Sequence, residues 1–323
     1  MAGTELTKPA KAVLRAVWDS VREACDVCRK LYPIMILLII GIKVLTELDL
    51  IRYLAMPLKP IMGLMGLPAD LGIAWAAGMM VNMYTGMIAM ATLLPAMEPL
   101  SVAQASTFGL VLLYAHGLPI EGRIAQQCGL SISVQISMHI LTAVLAGIGM
   151  HLFCLQTGWM SEPATILFTA GNPDPTLLAW AVDKTCDLIY IFVIIAVLLI
   201  VQRGIEHFKL NRWLELVLRP LLQLVGVSNK AATPIMIGMC MGLIYGSGLI
   251  IRDVQAGALS RRDIFGSITL MGLAHAIIED TLLAMVIGCN WIVILVIRSL
   301  FAIGVVGVVM RLRDRFSRRP EAI

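Results

Sequence analysis

The chain has 323 residues, 59% hydrophobic and 14% charged, with a formal net charge of +4 and a mean hydropathy of +0.87. Soluble domains hold about 45–50% apolar and about 25% charged residues, so this apolar excess is too large for one buried core. A water-soluble enzyme is excluded, and lipid must be part of the solvent.

In chain order, residues 1–11 read as a tail and 12–30 as an amphipathic helix on the membrane surface. Lys8, Lys11, Arg15, Arg22, Arg29 and Lys30 lie in this region, with no early apolar core of a cleavable signal. Apolar runs at Leu31–Leu48, Ile73–Leu94, Ser131–Leu155, Leu188–Val201, Ala231–Ile251 and Trp291–Met310 predict membrane helices. A crossing needs roughly 20 helical residues, which several runs reach and others approach. The runs do not alternate, as barrel strands would. Lys43 and Glu47 fit an i,i+4 pair near the end of the first run. The seven cysteines sit mostly in apolar segments and read as small buried hydrophobes. Cys25-x-x-Cys28 has no partner pair, which leaves a redox or zinc role weakly supported.

Basic residues gather in the N-terminal segment, in 203–230 (Arg203, Lys209, Arg212, Arg219, Lys230) and in the tail (Arg311, Arg313, Arg315, Arg318, Arg319). The connection 157–177 carries only Glu162 and Asp174. The positive-inside rule then places both termini and 203–230 in the cytoplasm and 157–177 outside. Clustering at membrane edges speaks against nucleic acid as a partner.

The chain also aligns with itself. At a shift of 160 residues Arg52 falls on Arg212, Pro60 on Pro220, Gly66 on Gly226, Gly78 on Gly238 and Gly86 on Gly246. At 159, Ala115-His116 falls on Ala274-His275, Glu121 on Asp280, Gly129 on Gly288 and His139 on Arg298. At 161, Cys25-Asp26 falls on Cys186-Asp187. The predicted fold is therefore all-α: a polytopic transmembrane protein of two inverted repeats with broken helices and re-entrant hairpins. Its segments are a 1–30 tail and interfacial helix, a 31–156 repeat, a 157–177 external loop, a 178–311 repeat and a 312–323 basic tail. Each repeat is read as a first span, an amphipathic stretch, an interrupted second span, a short helix pair acting as re-entrant hairpin, and a closing span. Three crossings per repeat invert the second half. Arg252, Arg261 and Arg262 would then face outward, against the charge rule.

Inverted repeats with discontinuous helices at matching positions mark secondary transporters, with the site near the midplane. The short helix pairs hold His116 with Glu121, and His275 with Glu279 and Asp280. An acid centred in the bilayer costs about 2.5–3.5 kcal/mol, so it needs a partner or water. These groups either bind a polar solute or relay a proton, or they tie each helix pair together. His139 and Arg298 could neutralise the acids or join the site. Asn82, Tyr84 and Thr85 in one interruption, and Tyr245 and Ser247 in the other, are predicted cavity-lining groups. Gly238, Gly242 and Gly246 form a small-residue row that predicts close helix packing. There is no H-E-x-x-H, no Walker A sequence and no G-x-S-x-G.

Ala274-His275-Ala276-Ile277-Ile278-Glu279-Asp280-Thr281-Leu282-Leu283, with Gly288 after it, resembles the nucleoside recognition, or Gate, domain family of membrane proteins. The segment from His116 to Gly129 is a more divergent copy with Pro119 and a single acid. The resemblance implies two Gate repeats, a permeation or gating element, and nucleoside handling without fixing the cargo.

The sequence thus predicts a bacterial inner-membrane permease for a small polar solute, working by alternating access around a midplane His/acid site. It is not read as an enzyme, and no cofactor or bound metal is expected. The bilayer and the solute are the expected partners, with a homo-oligomer or a membrane partner protein possible. The alternatives are a non-transporting membrane scaffold and a divalent metal conduit.

Overall fold

A computed structural model of the protein describes residues 8–48, 50–167, 176–207 and 211–317. The 1–7 tail, the middle of the 157–177 connection, Lys209, Arg318 and Arg319 lie outside the described residues. Every regular element described is helical.

The first half begins with α1 (Lys8–Glu47), followed by short helical turns over Ile51–Leu64. Next come α2 (Leu71–Met80) and α3 (Met83–Leu93), then α4 (Val102–Tyr114), α5 (Leu118–Gln127) and α6 (Ile132–Thr157). The second half repeats the order: α7 (Leu177–His207), α8 (Asn211–Leu224), α9 (Asn229–Met241), α10 (Leu243–Gln255), α11 (Arg261–Leu273), α12 (Ile277–Val286) and α13 (Arg298–Ser317). A π-helical segment, Ile292–Ile297, leads into α13.

The predicted interfacial helix and first span are one 40-residue rod with Pro33 inside it. At 1.5 Å per residue it is about 60 Å long, twice the hydrocarbon thickness of roughly 30 Å. It packs along α7. Glu23 pairs with Arg203 at 2.7 Å, Tyr32 donates to Leu188 O at 2.6 Å, and Lys43 lies 5.7 Å from the Trp180 ring. Partner numbers fall along α7 as they rise along α1, so the two run antiparallel. Because α1 and α7 are equivalent elements, this is the arrangement inverted repeats require.

The two unusual elements of each repeat exchange the roles expected of them. The interrupted "spans" are tight helical hairpins. In α2–α3 a Cβ added at Gly86 would lie 3.2 Å from Gly78 Cα; in α9–α10 one added at Gly246 would lie 2.5 Å from Gly238 Cα. Each arm has 10 to 13 residues, about 15–20 Å, too short to cross. The breaks fall at Val81–Asn82 and at Gly242, where φ is +99°. The second break is three residues before the expected Tyr245. Asn82 and Gly242 are repeat partners at a shift of 160. Gly242 is therefore the break itself, whereas Gly238 and Gly246 make the close packing.

The predicted hairpins are instead broken spans. The arms α11 and α12 do not pack along each other, and neither do α4 and α5. Arg261–Val286 is a 26-residue stretch long and apolar enough to cross; so are Ile132–Thr157, Leu177–Val201 and Ile292–Arg315. Of these four stretches one lies in the first half (α6) and three in the second (α7, α11–α12 and the π-helical segment with α13). Large apolar side chains such as Leu37, Leu145, Leu178 and Val308 cover the outside, as lipid contact requires.

Candidate functional site

The breaks in the two broken spans build the site. In the first half α4 ends at Tyr114, Ala115-His116-Gly117 is non-helical, and α5 begins at Leu118. In the second half Ala274-His275-Ala276 separates α11 from α12. Gly117 and Ala276 both adopt left-handed backbone, with φ of 59° and 44°. The hairpin tips brace the breaks: Gly117 N–H donates to Gly78 O at 2.9 Å, and Ala276 N–H to Gly238 O at 3.3 Å.

A break leaves carbonyls exposed at one helix end and N–H groups at the next, which hydrocarbon cannot satisfy. One buried side chain per half donates to these carbonyls and reaches the acid that opens the next helix. Arg298 donates to Leu273 O at 3.3 Å, to His275 O at 3.3 Å and to Asp280 Oδ2 at 2.9 Å. His139 Nδ1 donates to Tyr114 O at 2.8 Å, and its Nε2 lies 3.2 Å from Glu121 Oε2. Glu121 and Asp280 each sit in the first turn of a helix, where its dipole favours negative charge.

The halves meet here. The His116 and His275 rings are 5.2 Å apart, centroid to centroid. Ligand atoms of His116, His275 and Glu121 lie within 4.8 Å of one another. Gly272 of the second half packs on the first: a Cβ there would stand 2.6 Å from His139 Nε2 and 3.2 Å from Glu121 Oε2. Tyr114 OH donates to Arg298 O at 2.6 Å, and Gln135 donates to Thr269 at 3.0 Å. Exposure of His116, Glu121, His139, His275, Asp280 and Arg298 runs from 0% to 9%, so the cluster is buried.

Six of the twelve predicted residues therefore converge on the inner cluster: His116, Glu121, His139, His275, Asp280 and Arg298. Glu279 stands at its edge, with Tyr84 OH 3.5 Å from Oε1. Asn82 and Thr85 are turned to local use: Asn82 Oδ1 caps α3, accepting from Thr85 N at 2.9 Å and Thr85 Oγ1 at 3.0 Å. Ser247 is buried within α10, and Tyr245 is 59% exposed, away from the cluster. Sequence reasoning missed Tyr114, Gln135, Thr269 and Gly272. Tyr114 adjoins the first Ala-His pair and faces Leu273 at the repeat shift, a departure from symmetry that flags it. A glycine in an apolar run gives no comparable signal.

Chemically, the cluster offers imidazole and carboxylate lone pairs. His116 Nδ1 contacts Leu113 O at 3.2 Å, and His275 Nδ1 contacts Met271 O at 3.0 Å and Gly272 O at 3.2 Å. A carbonyl only accepts, so Nδ1 of each ring carries a proton, and with the ring neutral Nε2 offers a lone pair.

Over 280 residues the chain is 26% identical to an uncharacterized membrane protein, YvoD, of Bacillus subtilis (strain 168). That match covers 84% of this chain and 86% of the relative. With its apolar helices, this chain is a membrane protein. No family model matches it, and no solved structure does.

Proposed function

We propose that this chain is a permease-like protein of the bacterial cytoplasmic membrane that moves a small polar solute without transforming it. The observation that carries the reading is the 5.2 Å contact between His116 and His275. Two helix breaks, one from each half, bring an ionisable cluster to the seam where the halves touch. In a transporter of inverted repeats this seam is where the solute binds and where the halves rock apart. In this reading the buried cluster is an occluded arrangement. The Gate-family resemblance of His275–Gly288 favours a nucleoside-like solute. Basic residues at both ends and in 203–230 favour cytoplasmic termini.

The test is uptake of labelled nucleosides into proteoliposomes. Saturable uptake is expected, lost in Glu121→Gln protein that stays monodisperse. Folded wild-type protein that moves no solute across a broad panel, and copurifies with a stable membrane partner, would overturn the reading in favour of a scaffold.

A further inference from the structure

We propose that His116, His275 and Glu121 form a binding site for a divalent transition-metal ion. The site stands on ligand geometry alone and holds whether or not the two halves move.

Three observations carry it. The first is convergence. Two imidazoles and a carboxylate, contributed by residues 116, 121 and 275, bring their ligand atoms within 4.8 Å of one another. Tetrahedral coordination at about 2.0–2.1 Å places donors about 3.4 Å apart, so small side-chain rotations close the site. The second is the tautomer. Each histidine spends Nδ1–H on a backbone carbonyl of the preceding helix, Leu113 for His116 and Met271 and Gly272 for His275. That outer contact is how metal-binding histidines are usually oriented, and it leaves Nε2 to bind.

The third is an orphan. Glu121 Oε2 is buried and has no hydrogen-bond partner. Its near neighbour, His139 Nε2, stands 3.2 Å away but off hydrogen-bond geometry, and His139 already donates from Nδ1 to Tyr114 O. With His139 neutral and Glu121 ionised, two acceptors therefore face each other. Arg298 is committed to Asp280 and two carbonyls, so it does not supply the missing donor. A cation bound by Glu121 and the two Nε2 atoms would satisfy all three.

Mixed imidazole and carboxylate donors suit zinc-like ions, cobalt(II), iron(II) or nickel(II), and disfavour calcium and magnesium, which prefer all-oxygen sites. Three protein ligands leave a coordination position open, as in exchangeable rather than purely structural zinc sites.

Metal-stripped full-length protein in detergent is titrated with Co²⁺ alone and followed by visible absorption, then displaced with Zn²⁺. One equivalent should bind, with ligand-field bands and no thiolate charge-transfer band, unchanged by Cys25→Ser with Cys28→Ser. His116→Gln, His275→Gln and the isosteric Glu121→Gln should each weaken binding by about 100-fold or more. Absence of stoichiometric binding to folded wild-type protein, a thiolate band, or binding that survives Glu121→Gln would overturn the site. If the histidine variants fail to fold, the wild-type spectrum and Glu121→Gln still decide. Metal binding without any solute uptake would leave the site standing and remove the permease reading; nucleoside uptake by protein that binds no metal would do the reverse.

Discussion

His139 and Arg298, 159 residues apart, do the same job in the two halves. Each reaches from the closing helix to the last carbonyl of one arm of a broken span (Tyr114 O, Leu273 O) and to the acid that opens the next arm (Glu121, Asp280). The chemistry differs. Arg298 is a permanent charge with several donors, and its half is electrostatically complete. His139 is a single ring whose Nε2 stands 3.2 Å from Glu121 Oε2 but off hydrogen-bond geometry, and its half is left with an unsatisfied carboxylate oxygen.

That asymmetry predicts unequal variants. Arg298→Met leaves Asp280 buried without its counter-charge and should cost about 3–5 kcal/mol of stability, measured by denaturant unfolding in micelles. Replacing both partners, Arg298→Met with Asp280→Leu, should recover part of the loss, because the Leu273 and His275 carbonyls still lose their donor. Glu279→Gln, whose hydrogen bond from Tyr84 is 3.5 Å long, should cost less than about 1 kcal/mol. Equal losses for the two single variants would contradict the ion-pair account.

Backbone strain is also distributed unequally. Gly117 holds its left-handed conformation freely, whereas Ala276 holds the equivalent one with a side chain. Ala276→Gly should therefore raise stability by up to about 1 kcal/mol, and Gly117→Ala should lower it by about 1–2 kcal/mol. Opposite signs in thermal unfolding check this; a destabilised Ala276→Gly would sink it.

The second hairpin depends on the absence of side chains at its crossing. Gly246→Ala would push a methyl to 2.5 Å from Gly238 Cα, and a loss of about 1–3 kcal/mol is expected. Gly248, in the same helix, has open space at its Cβ position, and Gly248→Ala should be neutral or mildly stabilising. Comparison of the two variants by unfolding separates packing from helix propensity.

The antiparallel contact of α1 with α7 offers a test of rocking. Glu23→Cys with Arg203→Cys, in a background lacking the native cysteines, should cross-link with a short bismaleimide, since the native pair is 2.7 Å apart. In proteoliposomes the cross-link should arrest uptake and its absence should leave uptake intact. Full uptake by cross-linked protein would mean that these helices do not separate during transport.

The sequence by itself determined the membrane character, the helical class and the duplication. Hydropathy follows from composition, and the repeat shows as matched Arg, Pro, Gly and His residues whatever the local conformation. It also named the six residues of the inner cluster, because ionisable side chains stand out in apolar surroundings. The tertiary structure alone decided which interrupted segment folds back and which continues. An apolar helix of about 10 residues reads the same in either case; the difference lies in whether Gly78 meets Gly86 and Gly238 meets Gly246. Only packing, too, could bring His116 onto His275, because a side chain's partner across the halves is set by elements far away in the chain.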